Sequence, residues 1–444
     1  LRSHIRMFGH RGGMLPERAG APRESDPREI PIYVSGGESG NFAASDYILF
    51  YAESPNTWNF DQATAQFSHQ VHLYSEEQCY FLNTGQAEGL RVEDIAQDER
   101  SPTHVLSGFQ DYAYHQRDLS SLIGSGRVWY GEVFETTLSR DFTFDFTDLD
   151  VSVPVRVKTE VAARSPITSS FRVMVNNQQS SISIGAVNLS DQNNFYARSG
   201  VDSSFFQLPS GGQLRVQLTY NRPQNTTARG WLNYIAVNVH RHLRFSANQL
   251  GFRHGASVGA GSVARFNMTN ASSQIEIWEV TDPFSVKRQN TNLTAGTLSF
   301  VRDASVLREY RAFIHSGLPA PRLAGKVANQ NLHGLSAADM IVVTAPEFHD
   351  QAERLAQYRR DNDGLSVHVV GLKEVYNEFS SGHADISAVR NLMKMFYDRA
   401  THPEEIPLYL LLFGNGTIDN KDMLGFGGNL IPTYQSQASL SPSN

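Results

Sequence analysis

Apolar and polar positions alternate through the middle of this chain, and then the period lengthens. Phe142, Phe144 and Phe146 alternate with polar residues, and Val151-Ser-Val-Pro-Val-Arg-Val157 continues the pattern. Further runs of period two follow at Ser170-Phe-Arg-Val-Met-Val175, Ser181-Ile-Ser-Ile184, Gln213-Leu-Arg-Val-Gln-Leu218 and Trp231-Leu-Asn-Tyr-Ile-Ala-Val-Asn-Val239. Side chains on a strand point alternately to opposite faces, so such runs predict strands with one face in a core. Turn clusters between them, Asn176-Asn177 and Pro209-Ser-Gly-Gly212, predict a β-sandwich of jelly-roll type. A smaller β segment from Leu243 to Ile314 contains Gln274-Ile-Glu-Ile-Trp-Glu-Val280; the pattern leaves open whether it completes the sandwich or stands alone.

Before the sandwich, residues 1–45 are rich in Gly, Pro and Arg and read as loop with one short strand at the start. Asp46-Tyr-Ile-Leu-Phe-Tyr51 predicts a strand. Gln70-Val-His-Leu-Tyr74 and Cys79-Tyr-Phe-Leu82 predict a pair bridged by Ser75-Glu-Glu-Gln78.

Past Pro319 and Pro321 the period becomes 3.6. Met340-Ile-Val-Val-Thr344 is a buried strand. Phe348, Ala352, Leu355 and Ala356 mark a helix face that Asp361-Asn-Asp-Gly364 ends, and Leu365-Ser-Val-His-Val-Val370 is a second strand. After a short Val375-Tyr-Asn-Glu-Phe379 segment, Ile386, Val389, Met393 and Phe396 form the stripe of another helix, with Asp385 placed as its N-cap. Pro407-Leu-Tyr-Leu-Leu-Leu-Phe413 has no polar alternation and predicts a strand covered on both faces. The order strand, helix, strand, helix, strand means a parallel right-handed α/β unit. The expected organisation is therefore an N-terminal β-rich domain over 1–140, the sandwich region over 141–315, a linker over 316–325, and the first half of an α/β domain over 326–444. Three strands are few for such a sheet, and the chain starts at Leu1-Arg-Ser without a Met or a signal peptide, so both ends are expected to be cuts.

Composition narrows the function. The 444 residues carry a formal net charge of -7 with both signs scattered, which argues against a nucleic-acid surface. No apolar stretch approaches the roughly 20 residues that span a bilayer. The single cysteine, Cys79, excludes an internal disulfide and has no close histidine in sequence; it reads as a buried thiol.

Candidate chemistry is sparse. Gly414-Asn-Gly416 follows a strand but lacks the spacing of a phosphate-binding loop. Asp419 and Asp422 with Asn415 and Asn420 offer oxygens to calcium without an EF-hand spacing, so turn chemistry competes. His240 and His242 share one strand face at a zinc-compatible spacing but lack a third ligand. His333 and His349 stand alone. Phe195, Tyr196 and Trp231 offer either sugar-stacking surfaces or core.

The runs Asn331-Leu-His-Gly334, Ala338-Asp-Met-Ile-Val-Val-Thr344, Gln351-Ala-Glu-Arg-Leu355, Tyr376-Asn-Glu-Phe-Ser-Ser-Gly382, Asp385-Ile-Ser-Ala-Val-Arg390 and Tyr409-Leu-Leu-Leu-Phe-Gly414 together resemble the gingipain-type cysteine peptidases. Gly12-Gly-Met-Leu-Pro16, Asp46 to Tyr51 and Ser125-Gly-Arg-Val-Trp-Tyr-Gly-Glu132 resemble, more narrowly, the N-terminal region of the type IX secretion sortases of Bacteroidetes. The resemblance implies a caspase-like α/β/α peptidase domain behind β domains, at the outer surface of a Gram-negative outer membrane. It implies a Cys/His dyad that removes the C-terminal signal domain of secreted cargo and attaches the cargo to lipopolysaccharide, beside an outer-membrane β-barrel partner. No cofactor is required, and calcium is left open. In the family both catalytic residues follow the strand that matches Leu408 to Phe413. Neither motif occurs here, Cys79 does not match the nucleophile, and Asn415 stands where relatives tend to carry Gly-Asp-Gly, so no catalytic residue is expected before Asn444 and the chain by itself is expected to be inactive. The competing reading is a non-catalytic surface protein whose sandwich binds glycan or a partner.

Overall fold

The alternating runs form antiparallel sheets stacked around two separate cores. The computed structural model describes residues 2–36, 40–191, 194–209, 212–224 and 227–441, so Ser210 and Gly211 of the expected turn lie outside the described residues.

One sandwich joins the sheet Gly108–Gln116, Arg229–His242, Val155–Arg164, Arg198–Phe206 to the sheet Ser139–Phe144, Leu214–Asn221, Ser169–Val175, Gln178–Ile184. Between them lie Phe142, Phe144, Val157, Phe171, Val173, Val216, Leu218 and Val237. These are the inward members of the period-two runs. The second sandwich pairs a sheet containing Gln249–Phe252, Tyr310–Phe313 and Glu276–Glu279 with one containing Thr297–Asp303 and Val263–Met268. Its core is its own, centred on Phe252, Phe266, Phe300 and Tyr310, with Phe252 stacked on Tyr310 at 5.3 Å and Phe266 on Phe300 at 5.1 Å.

Earlier segments complete both sandwiches. Gly108–Gln116 pairs along Arg229–His242, while Glu93–Ile95 and His104–Leu106 add to the second in parallel. The boundary drawn at residue 141 is therefore crossed by strands on each side, because unpaired strand edges recruit whichever segment reaches them.

The N-terminal region departs from expectation most. Residues 1–45 contribute three strands, Ile5–Gly9, Arg28–Ile30 and Ile32–Val34. The local pair expected between residues 70–74 and 79–82 does not form. Phe81–Thr84 instead pairs antiparallel with Ile5–Gly9, Phe8 opposite Phe81, and Gln66–Gln70 pairs with Thr57–Asp61. The reason is a side-chain turn at His72, whose Nδ1 accepts the main-chain N–H of Tyr74 at 3.1 Å and of Ser75 at 3.0 Å and so ends any ladder there.

From Ser316 to Gln330 the chain has no regular structure. Three parallel strands follow, in the order Val367–Gly371, Met340–Thr344, Tyr409–Phe413. Helix α1 (His349–Asp363) buries Ala352 and Ala356 and ends at Gly364 in the left-handed region, φ +68°. The short segment after the second strand is a helix, α2 (Leu372–Phe379), and α3 (Ile386–Arg399) buries Val389, Leu392 and Phe396. The centre of the sheet is Met340–Thr344, buried at every position; Tyr409–Phe413 is at the edge. That corrects the reading of the last strand as covered on both faces, since Tyr409, Leu410 and Leu412 are exposed. An apolar run records the need for cover, not whether the covering segment is present.

Candidate functional site

The most concentrated chemistry lies where the N-terminal region meets the start of α3. Asp385 caps that helix as its position predicts: Oδ1 accepts the Ser387 N–H at 2.7 Å. Its other oxygen accepts the Leu15 N–H at 2.9 Å, from a loop 370 residues earlier. Leu15 is buried in the core of the α/β unit, and Arg390 holds the same loop by donating to the Pro16 carbonyl at 2.7 Å and to the Glu17 carbonyl. On the other side Ser381 Oγ donates to the Cys79 carbonyl at 3.0 Å.

Two histidines close the cluster. His72 Nε2 lies 3.8 Å from Asp385 Oδ2, and the His72 and His383 rings meet edge-on at 5.3 Å. His72 is 0% exposed, His383 3% and Asp385 1%. Burial pulls His72 down to about 3, helped by His383 and Lys421, and His383 down to about 4, helped by His10. Burial also raises Asp385 to about 6, against the opposing hydrogen bonds from Leu15 and Ser387.

His72, His383 and Asp385 place their ligand-type atoms within 4.8 Å of one another. They do not make a metal centre. His72 Nδ1 accepts two main-chain N–H groups, so the neutral ring carries its proton on Nε2, the nitrogen facing the other two groups. A protonated nitrogen donates; it does not ligate. The cluster can hold protons and hydrogen bonds, and it joins three distant parts of the chain.

A second acid–base pair stands at the start of the α/β unit. His333 Nδ1 lies 2.6 Å from Glu378 Oε2, and Glu378 also accepts the main-chain N–H groups of Leu332 and His333. It is fully bonded and reads as a clamp.

The other sequence candidates stay apart. Cys79 is half-buried, and burial raises its thiol further from the thiolate, the opposite of what a nucleophile needs. His240 is half-buried and His242 exposed, and no third ligand joins them among the described residues. His349 is exposed at the start of α1.

The carboxylates after the last strand are spent on turns. Asp419 accepts the N–H groups of Met423 and Leu424, Asp422 that of Gly427, and Asn420 Oδ1 that of Thr433. The Asn415 amide donates to the Gly428 carbonyl. Gly414 and Gly416 are there for close approach: a Cβ would come 2.8 Å from Ile431 Cγ1 at the first and 2.3 Å from Thr433 Cγ2 at the second. Trp231 is core, packed with Tyr130, Ala162 and Ala197, while Arg164 covers the Tyr196 ring and Arg198 the Phe195 ring.

Comparison with known proteins bears on the α/β unit first. Residues 333–444 match the model of Peptidase family C25. Over these residues the chain is similar to that peptidase family. The fold extends the likeness beyond the gingipain-like unit: the crystal structure of dimeric latent PorU from Porphyromonas gingivalis matches with a TM-score of 0.84 and 25% identity, over 99% of this chain and 42% of that one. This chain thus spans about two fifths of the length of that PorU, β modules included. Two carbohydrate-binding modules also align. One is CBM36-1 of a xylanase from a Trinervitermes trinervoides hindgut metagenome (TM-score 0.19, 8% identity, 29% of this chain and 96% of that one). The other is a CBM36 in complex with calcium and xylotriose (0.17, 6%, 28% and 97%). Scores so low carry no functional weight. No curated protein matches the sequence.

His72 and His383 escaped the sequence reading. They stand 311 positions apart in ordinary contexts, and only the Asp385 capping pattern pointed to their neighbourhood.

Proposed function

We propose that this chain is the N-terminal part of a PorU-like sortase of a type IX secretion system, a cysteine endopeptidase and transpeptidase acting at the bacterial cell surface. The observation that carries the reading is the match to PorU over 99% of the chain, across both sandwiches and the gingipain-like unit together. The β modules and the parallel sheet form the scaffold. The Cys/His dyad belongs to the longer protein: a thiolate activated by histidine attacks the scissile carbonyl, and the acyl-enzyme is released to water or to an amine of the lipopolysaccharide acceptor. A surface location and a β-barrel partner are part of the same proposal; among the described residues no helix is long and apolar enough to cross a membrane. The glycan-binding alternative loses its main support with Trp231 in the core.

The test is to produce the protein extended through its next, roughly 300 residues, enough to complete the α/β domain, and incubate it with cargo bearing a C-terminal signal domain. Removal of that domain, abolished when the downstream Cys is replaced by Ala, is expected. An extended protein with its Cys and His intact that leaves cargo whole would overturn the reading.

A further inference from the structure

His10, on the loop that carries Leu15, is 3% exposed and stands behind His383. Among the described residues neither ring nitrogen of His383 nor Nε2 of His72 has a hydrogen-bond partner, and His10 has the Asp26 carbonyl beside it. Buried polar atoms are nearly always paired, so three unpaired imidazole nitrogens at one seam, with a third buried histidine behind them, mark a place held together in spite of its polarity. We propose that this seam is a proton-operated latch: His72, His383 and His10 must be neutral for the 10–17 loop and the 72–75 turn to stay docked on Asp385, and acid releases them.

The geometry allows the docked seam one proton. Asp385 is the carboxylate in contact with His72, and both its oxygens already accept N–H groups, from Leu15 and Ser387. A first proton settles there or on His72 facing it. A second falls on His383, which has no carboxylate beside it among the described residues, or on His10, where Glu24 is the one carboxylate that favours it and burial opposes it.

The surrounding charges do not relieve this. Lys421 faces His72 from the C-terminal segment, itself 3.1 Å from Asp118, and Arg390 faces Asp385 from α3. Both are cations. The phenols of Tyr74 and Tyr376 face Asp385, with Arg127 and Glu17 next to Tyr74. At His10 Glu24 favours the charged form, as does the Asp26 carbonyl, yet burial wins and lowers it.

The sign follows from each direction. A lowered histidine favours the docked state above its ordinary range, and that advantage is lost as pH falls below about 6.5. The raised carboxyl works the other way, favouring docking as pH falls from about 6 towards 4. Two or more histidines outweigh one carboxyl. Opening then takes up at least one net proton, and the docked-to-open ratio should fall about tenfold or more per pH unit between roughly 6 and 4.

Hydrogen exchange of the whole chain from pH 7.5 to 4.5, with times scaled for intrinsic exchange, tests this. Peptides holding the N–H groups of Leu15, Tyr74, Ser75 and Ser387 should lose protection by that factor, while Val342 and Val237 in the sheet centres keep theirs. In His72→Asn/His383→Asn the new Asn at 72 still offers an oxygen to Tyr74 and Ser75, and the loss with acid should vanish or reverse. If the double variant does not fold, His383→Asn alone should remove one proton from the slope, since its ring makes no hydrogen bond among the described residues. Seam protection that does not change with pH, or variants that lose it as steeply as the parent, would overturn the latch.

Discussion

His333 and Glu378 form a two-point clamp. Ring Nδ1 lies 2.6 Å from Glu378 Oε2, and Nε2 donates to the Ser25 carbonyl at 2.9 Å, with the ring stacked on Phe379 at 4.6 Å. Both ring nitrogens face oxygens, one of a side chain and one of the main chain. One histidine thus ties the end of the linker to α2 and to the N-terminal region.

Glu378→Gln should cost about 2–3 kcal/mol, because an amide cannot accept from Leu332, His333 and Gln330 together and leaves buried N–H groups unpaired. Burial raises the carboxyl, but the hydrogen bonds from Leu332, Gln330 and His333 prevail and hold it below its usual range. Its stabilisation is therefore present at neutral pH and lost as pH falls through the carboxylate range. Urea unfolding of parent and variant should differ at pH 7 and converge in acid.

Glu279→Ala should be among the most damaging single changes in the second sandwich. Its carboxylate, 9% exposed, accepts from Arg302 at 2.7 Å and from Arg308, and its removal takes the carboxylate from Arg302 and leaves Arg308 with Asp303. A loss of about 3–5 kcal/mol is expected. Calorimetry should show the melting temperature of the variant well below that of the parent.

Val343 and Leu412 are register partners on adjacent parallel strands, yet they will not respond alike. Val343 is 0% exposed and Leu412 is 40% exposed. Val343→Asp buries an unpaired carboxylate and should abolish cooperative folding of the gingipain-like unit. Leu412→Asp in this chain should move stability by no more than about 0.5 kcal/mol. Equal losses in urea would mean that the last strand is not at an open edge.

The sequence made some of this legible because the governing physics is local. Asp385 two positions before Ser387 is a capping geometry, Gly364 after Asp363 is a helix stop, and the Phe142, Phe144, Phe146 alternation is a half-buried face whichever sheet it joins. What stayed hidden depends on partners far along the chain. Phe81 finds Phe8 rather than Tyr74, and Leu410 is apolar yet stays 42% exposed. His72, His383 and Asp385 converge only once the β region has docked on α3, and no spacing records that.

Thiol labelling of residues 1–444 with a peptidyl acyloxymethyl ketone, read by intact mass alongside a cargo-cleavage assay, tests most directly whether the nucleophile lies outside this scaffold. The expected result is no label and no cleavage, since Cys79 is half-buried with its thiol held above the usual range. Stoichiometric labelling of Cys79 in the folded chain, with cargo cleavage lost in Cys79→Ser, would contradict it.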